Sequence, residues 1–129
     1  MYKRQIVERQ IEQQRRQDGD QRRDFIFVED ACATLVWLYE LAPANGIFNL
    51  GTGKARSFLD LAGAVYRALG RDPLIAWRDT PEDIRGQYQY FTEARMERLR
   101  GLGYTAPFTG LEDGVAKTVN ILSQPDPYR

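Results

Sequence analysis

Two arginines and one tyrosine are the side chains of this sequence best suited to bind a phosphorylated ligand. Arg22 and Arg23 directly precede a short apolar run at residues 25–28. A guanidinium at the mouth of a strand can donate two parallel hydrogen bonds to a diphosphate, although an exposed pair of cations is the commoner outcome. Tyr88 stands between two glutamines, and a phenol can pack its ring while its hydroxyl bonds to a phosphate or a sugar. The residues alone leave both interpretations open.

Two glycine-containing stretches match phosphate-binding turns only in part. A phosphate loop around Gly53 and Lys54 requires an earlier glycine where Phe48 stands, and a serine or threonine where Ala55 stands. Residues 101–106 have the spacing of a dinucleotide-binding turn, but they follow a predicted helix instead of a strand. We interpret the first stretch as a strand-to-helix turn, next to a helix N-terminus that could still contact an anion. The second is interpreted as a helix C-terminus.

The composition excludes several kinds of catalytic site. The sequence has no histidine, which removes histidine-based triads and most catalytic zinc sites. Its single cysteine, Cys32, cannot form an internal disulfide, and its alanine-rich surroundings predict a small buried side chain and not a nucleophile. Asp79, Glu82 and Asp83 flank Pro81, which favours a solvated acidic turn over the paired carboxylates of a glycosidase. No catalytic residue and no metal ligand is predicted.

Length and charge bound the remaining function classes. The chain has 129 residues, so it is one domain or a piece of one. Its 18 Lys and Arg balance its 18 Asp and Glu, so its net charge attracts neither nucleic acid nor an anionic membrane. No apolar run approaches the roughly 20 residues that span a bilayer, and no signal peptide is visible. With the single cysteine, these features predict a cytoplasmic protein.

The elements that must position these side chains follow an α/β pattern. Short runs rich in aromatic and β-branched residues predict strands at 25–28, 47–50 and 74–77. Each strand is followed by a predicted helix, and a last helix begins after residue 109. Asp30 and Thr92 are predicted N-caps, and Ser57 with Asp60 resembles a capping box. Thr109 begins a capping box with the usual glutamate three residues later.

Glycines and prolines mark the predicted helix ends. Pro43 and Gly46 follow the first helix, Gly70 closes the second, and Gly101 or Gly103 closes the third. The first helix has an apolar face formed by Ala31, Leu35, Leu38 and Ala42. Residues 1–17 differ from the rest, because they are crowded with Gln, Arg and Glu and lack a full apolar stripe. An exposed helix, a disordered segment and a basic arm remain open for them, the last disfavoured by the mixed charge.

Several motifs together resemble a known family over residues 18–129. Arg-Asp-Phe-Ile-Phe-Val-x-Asp at 23–30 and Asn-Leu-Gly-Thr-Gly at 49–53 are typical of extended short-chain dehydrogenases/reductases. A more specific combination is similar to the heptose 6-epimerases of that family. It comprises Gly-x-Tyr-Gln-x-Phe-Thr at 86–92, Leu-Arg-x-x-Gly-Tyr at 99–104, Pro-Phe at 107–108 and Glu-x-Gly-Val at 112–115.

The resemblance implies the C-terminal, substrate-binding part of an extended Rossmann-type α/β enzyme whose N-terminal cofactor lobe is missing. It implies an intact cytoplasmic NADP-dependent isomerase that inverts C6 of ADP-heptose through a transient keto sugar, for lipopolysaccharide core synthesis. It assigns Arg23 and Tyr88 to binding of the ADP-sugar, and it implies a homo-oligomer. Residues 1–17 are expected to be a non-matching extension.

The same resemblance implies that this chain is inactive alone. The family needs a Gly-rich cofactor turn and a Tyr-x-x-x-Lys pair, but no tyrosine here has a lysine four residues later. We therefore expect no cofactor binding by the chain alone. With the partner lobe absent, the face of Leu35 and Leu38 is expected to be uncovered. Two alternatives remain: another nucleotide-sugar epimerase or dehydratase, and a non-catalytic binding module acting through residues 1–17.

Overall fold

The computed structural model describes residues 19, 21–43, 45–77, 81, 83 and 88–126. The elements within these residues are β1 (Arg22–Arg23), α1 (Val28–Leu41), β2 (Arg56–Ser57), α2 (Phe58–Ala68), α3 (Glu97–Gly101) and α4 (Leu111–Leu122). Strands and helices alternate in the first half, which agrees with the predicted α/β class. The predictions for residues 1–17 and for Asp79 and Glu82 of the acidic turn lie outside the described residues.

β1 lies between two other segments of the chain. It pairs antiparallel with β2, so that Arg22 is opposite Ser57 and Arg23 is opposite Arg56. Arg22 also forms a parallel bridge with Phe91. In that bridge the Arg22 N–H donates to the Tyr90 carbonyl at 2.8 Å, and the Arg22 carbonyl accepts from the Thr92 N–H at 3.1 Å. The loop at residues 88–92 is therefore held directly against β1.

The three predicted strands were wrong. Residues 47–50 and 74–77 form no ladder with any described segment, and residues 25–27 are an extended lead into α1. Phe27, with φ −72° and ψ 136°, is the last extended residue before the helix. A run of aromatic and β-branched residues favours extended backbone, but a strand also needs a neighbour whose N–H and C=O groups pair with it. Only Arg22 and Arg23 meet such neighbours in this part of the chain.

The second helix begins and ends as the sequence predicts. The Asp60 N–H donates to Ser57 Oγ at 3.0 Å, and the Ser57 N–H donates to Asp60 Oδ2 at 3.1 Å. This reciprocal pair is a full capping box at the start of α2. Gly70 adopts a φ of +63° just beyond the helix, a conformation that suits glycine at a helix C-terminus.

The caps predicted for α1 and α4 were wrong. Neither Asp30 nor Thr109 caps a helix; the N-cap residues are Phe27 and Gly110, and neither makes a side-chain capping bond. Instead, the carboxylate of Asp30 accepts the Thr109 N–H at 2.6 Å and the Thr109 hydroxyl at 3.1 Å. Each residue satisfies the other, and together they join α1 to the segment that leads into α4.

The third helix starts later than predicted. It runs over Glu97–Gly101 with Met96 at its N-cap, so Thr92 is not its cap. The Thr92 N–H is used by β1, and its hydroxyl donates to Gln89 Oε1 at 3.3 Å. Gly103 follows the helix with a φ of +102°. This confirms the interpretation of residues 101–103 as a helix C-terminus.

The core of the described residues is small, and Phe27 in the lead into α1 contacts Gly114 of α4 within it. Phe27, Ala64, Leu99 and Tyr104 form it. α2 packs against α4, and Trp37 of α1 meets Tyr104 edge to face at 5.1 Å between ring centroids.

One face of α1 is open to solvent. Leu35 is 59% exposed and Tyr39 is 86% exposed, which confirms the uncovered position expected for Leu35, while Leu38 is half-buried. Cys32 is also exposed, so the prediction of a buried thiol was wrong. Cys32 lies three and four residues before Leu35 and Val36, on the same side of the helix, and no described segment covers that side. None of the helices in the described residues combines the length and apolar character needed to cross a bilayer.

Candidate functional site

The structure brings Arg23 and Tyr88 together. The guanidinium carbon of Arg23 lies 5.7 Å from the centroid of the Tyr88 ring and 5.8 Å from that of Phe58. Both distances are within the range of cation–π attraction. Tyr88 also packs edge to face against Tyr90, at 5.4 Å between ring centroids. The arginine and tyrosine that the family resemblance singles out are therefore neighbours in an aromatic cluster.

The hydrogen bonds of Arg23 go to neutral oxygens. Nη1 donates to the carbonyl of Arg22 at 2.8 Å, and Nη2 donates to the carbonyl of Gln89. No ion pair joins Arg23 to a carboxylate of the described residues. The guanidinium is thus oriented by two rings and two carbonyls. A phosphate oxygen makes a stronger hydrogen bond to a guanidinium than a neutral carbonyl does.

The arginine opposite it in the β1–β2 pair has different partners. Arg56 donates from Nη2 to Glu112 Oε1 at 2.7 Å and from Nε to Asp60 Oδ2 at 3.1 Å. The hydrogen bonds to Glu112 and Asp60 raise the pKa of Arg56, and those from Arg56 hold the pKa of Glu112 below its ordinary value. Arg56 therefore links β2, α2 and α4, and two carboxylates compensate its charge. Of the two facing arginines, only Arg56 bonds to carboxylates of the described residues.

Asp24, which the sequence analysis did not single out, organises the backbone next to Arg23. Its Oδ1 accepts the N–H of Thr52 at 2.8 Å and also the Thr52 hydroxyl. Its Oδ2 accepts the N–H of Gly53 at 2.8 Å and that of Ala94 at 3.1 Å. Burial raises the pKa of Asp24, but the hydrogen bonds from these donors outweigh it, so the net pKa lies below the ordinary value. The carboxylate is held as an anion that joins three segments.

Gly51 is required by this arrangement. A Cβ at this position would lie 2.5 Å from Asp24 Oδ2 and 2.6 Å from the Ala94 Cβ. A real Cβ does not come that close to non-bonded atoms, so the turn approaches Asp24 closely only because Gly51 has no side chain. An acidic residue directly after Arg23, together with a later Gly-Thr-Gly, was the available sequence signal for this site.

Comparison with known proteins identifies the relatives of this chain. The sequence profile of the NAD dependent epimerase/dehydratase family matches residues 2–51. A protein of Nitratidesulfovibrio vulgaris strain DP4 is 50% identical over 112 residues, which cover 86% of this chain and 35% of that protein. It is named ADP-L-glycero-D-manno-heptose-6-epimerase. The chain is a homologue of these heptose epimerases.

Two further relatives carry the same name. The protein of the Hildenborough strain of N. vulgaris is 50% identical over 112 residues. That of Fusobacterium nucleatum is 42% identical over 118 residues, covering 86% of this chain and 36% of the relative. The resemblance to heptose epimerases is thereby confirmed, and it supports a Rossmann-like α/β fold. The chain spans about a third of the length of the curated relatives it matches.

The match to the epimerase/dehydratase family begins at residue 2, within the segment expected to depart from the heptose epimerases. The division of the chain at residue 17 stays a prediction. The roles of Arg23 and Tyr88 in binding also stay predictions, because the comparisons assign no residues.

The turn at residues 51–53 is not arranged as a dinucleotide-binding turn. A dinucleotide turn presents free backbone N–H groups to a pyrophosphate, whereas the N–H groups of Thr52 and Gly53 already bond to Asp24. The other glycine stretch follows α3 and not a strand. The described residues also hold no cluster of three or more metal-ligating side chains. The N–H groups of Thr52 and Gly53 in the 51–53 turn are therefore occupied by the Asp24 carboxylate.

An apolar cleft of about 770 Å³ borders the aromatic cluster. α2 and the segment at residues 69–77 line it, with Phe58, Leu61, Val65 and Trp77 among its walls. Phe58 also contacts the guanidinium of Arg23. The cleft and the arginine therefore share one aromatic wall.

Proposed function

We propose that the chain is the nucleotide-sugar-binding part of an ADP-heptose 6-epimerase, and that Arg23 and Tyr88 contact the ligand. The contact between the Arg23 guanidinium and the Tyr88 ring, at 5.7 Å, carries the proposal for the site. The identity of 50% to a heptose epimerase over 86% of the chain supports the choice of ligand.

Each residue has a defined part in binding. Arg23 exchanges hydrogen bonds to the neutral carbonyls of Arg22 and Gln89 for charge-assisted bonds to the diphosphate. Tyr88 donates its hydroxyl to a phosphate or sugar oxygen while its ring stays against Arg23. The Phe58 ring makes the second aromatic contact of the Arg23 guanidinium and forms an apolar wall beside it. The ligand is thus gripped by one cation and oriented by one phenol.

The redox chemistry belongs to the part of the intact enzyme that this chain does not include. NADP, when bound there, supplies the hydride transfer by which C6 is oxidised and reduced again. The sequence of this chain has no Tyr-x-x-x-Lys pair, so on this proposal the chain alone binds no cofactor and does not epimerise. The proposal also makes the intact enzyme a cytoplasmic homo-oligomer of lipopolysaccharide core synthesis.

Ligand preference tests the proposal. Isothermal titration of the full-length protein that contains this chain should give tighter binding of ADP-heptose than of UDP-glucose or dTDP-glucose. Preference for a UDP- or dTDP-sugar would overturn the heptose assignment in favour of another nucleotide-sugar epimerase or dehydratase. Absence of binding to all three would overturn the nucleotide-sugar function itself.

A further inference from the structure

Asp24, the residue next to Arg23, makes more side-chain hydrogen bonds to the surrounding backbone than Arg23 does. Asp24 accepts main-chain N–H groups from Thr52, Gly53 and Ala94. Successive side chains of an extended segment point to opposite sides. Arg23 therefore faces the aromatic cluster while Asp24 faces the turn at residues 51–53.

The bond to Ala94 extends the contact between β1 and the loop that carries Tyr88. Along this contact, Arg22 bonds to Tyr90 and to Thr92 through main-chain groups. The Ala94 N–H then bonds to the carboxylate of Asp24 at 3.1 Å. The spacing of two residues between successive bonds is that of a parallel bridge continued by a side chain. The register of this contact decides which residue of the loop lies beside Arg23.

The carboxylate cannot be replaced by its amide without losing a bond. Oδ2 accepts both Gly53 and Ala94, while Oδ1 accepts the Thr52 N–H and hydroxyl. An asparagine has one acceptor oxygen and one NH₂ group. Asparagine has nearly the same size as aspartate, but in either orientation of its amide the NH₂ group would face backbone N–H donors.

The geometry points to Asp24 as a positioning residue of the nucleotide-sugar site: it holds the register between β1 and the 88–94 loop, so that the Arg23 guanidinium meets the Tyr88 ring. This inference rests on the proposed function of Arg23 and Tyr88. Asp24 acts through Arg23 and touches no ligand. It goes beyond that function, because it makes ligand affinity depend on Asp24, whose side chain points away from the aromatic cluster.

Asp30 provides a matched control. Its carboxylate accepts a main-chain N–H and a hydroxyl from Thr109, the same kinds of donor that Asp24 accepts from Thr52. It joins α1 to the segment before α4 and contacts neither Arg23 nor Tyr88 in the described structure. Asp30→Asn therefore makes the same chemical change at a place that does not set the register of the site.

The test is a double-mutant cycle on ADP-heptose affinity, measured by isothermal titration in the full-length protein that contains this chain. Asp24→Asn should weaken binding about ten-fold in the presence of Arg23, as for loss of a charged hydrogen bond. In the Arg23→Ala background the same substitution should change affinity less than about two-fold, because its effect passes through Arg23. Asp30→Asn should leave affinity unchanged, because Asp30 contacts neither Arg23 nor Tyr88 in the described structure.

The outcomes separate this inference from the proposed function. An unchanged affinity in Arg23→Ala alone would remove the proposed ligand role of Arg23. A loss in Arg23→Ala with no loss in Asp24→Asn would overturn only the positioning role. The positioning role would also be overturned if Asp24→Asn weakened ADP-heptose binding equally with Arg23 present and in the Arg23→Ala background. If Asp24→Asn does not fold, Thr52→Val replaces it in the cycle, because this variant removes the hydroxyl bond to Asp24 Oδ1. The positioning role then requires that Thr52→Val weakens ADP-heptose binding when Arg23 is present and does not do so in the Arg23→Ala background.

Discussion

Arg23 and Arg56 lie directly opposite each other in the antiparallel pair of β1 and β2, but they have different partners. Arg56 bonds to the carboxylates of Glu112 and Asp60. Arg23 bonds to main-chain carbonyls and contacts two aromatic rings. One of the two facing cations thus joins structural elements through carboxylates, and the other is held by carbonyls and rings, which agrees with the ligand role proposed for it.

This difference predicts opposite consequences for the two alanine variants. In the full-length protein, Arg23→Ala should weaken ADP-heptose binding by about 1.5 to 3 kcal/mol, the cost of a lost charged hydrogen bond. Arg56→Ala should leave affinity unchanged and lower the free energy of unfolding by about 0.5 to 1 kcal/mol, because its ion pairs are partly exposed. Isothermal titration and urea unfolding measure the two effects. Equal affinity losses in both variants would contradict the distinction.

Tyr88→Phe tests the phenol separately from its ring. The variant keeps the ring against Arg23 and loses only the hydroxyl, so ADP-heptose affinity should fall by about 0.5 to 1.5 kcal/mol. Tyr39→Phe is the control, since Tyr39 is 86% exposed on α1 and away from the aromatic cluster. An affinity equal to that of the unaltered protein would show that the Tyr88 hydroxyl makes no bond to the ligand.

Stability should depend on the ionisation of Asp24 at acidic pH. The hydrogen bonds to Asp24 hold its folded-state pKa below the ordinary value of 3.8. A carboxyl with a lowered pKa contributes its full stability above its unfolded pKa and loses it as the pH falls through the folded pKa. Urea unfolding should therefore show Asp24→Asn less stable than the unaltered chain at pH 7. The gap should close below about pH 4, and a constant gap down to pH 2 would exclude this linkage.

Two glycine-to-alanine substitutions should act in opposite directions. Gly51→Ala places a Cβ 2.5 Å from Asp24 Oδ2, so it should destabilise the fold and weaken ligand binding by displacing Asp24. Gly63 lies inside α2, and a Cβ there meets nothing within 4 Å. Gly63→Ala should stabilise the helix by about 0.5 to 1 kcal/mol, through the better helix propensity of alanine. Thermal unfolding compares the two, and a stabilised Gly51→Ala would refute the close approach.

The capping residues show where local sequence is sufficient and where it is not. Ser57 and Asp60 are three residues apart, and their reciprocal bonds need only the first turn of α2. Asp30 and Thr109 have equally good capping side chains, but in the folded chain they bond to each other. A side-chain oxygen satisfied by a distant partner no longer serves the nearby helix end. The sequence shows the capacity of each residue to bond, and the tertiary contact chooses the partner.

By itself, the sequence determined the α/β class, the bounds of α2, the helix C-terminus at residues 101–103 and the kinship with heptose epimerases. The helix ends depend on hydrogen bonds between residues close in sequence, and the fold class and family relation depend on motifs visible in the sequence. Only the tertiary structure decided that the paired strand is Arg22–Arg23, that Asp24 joins three segments, and that Arg23 meets Tyr88. The reason is physical: strand pairing and carboxylate bonds across the fold depend on which distant backbone comes within hydrogen-bonding distance, and no local pattern encodes that distance.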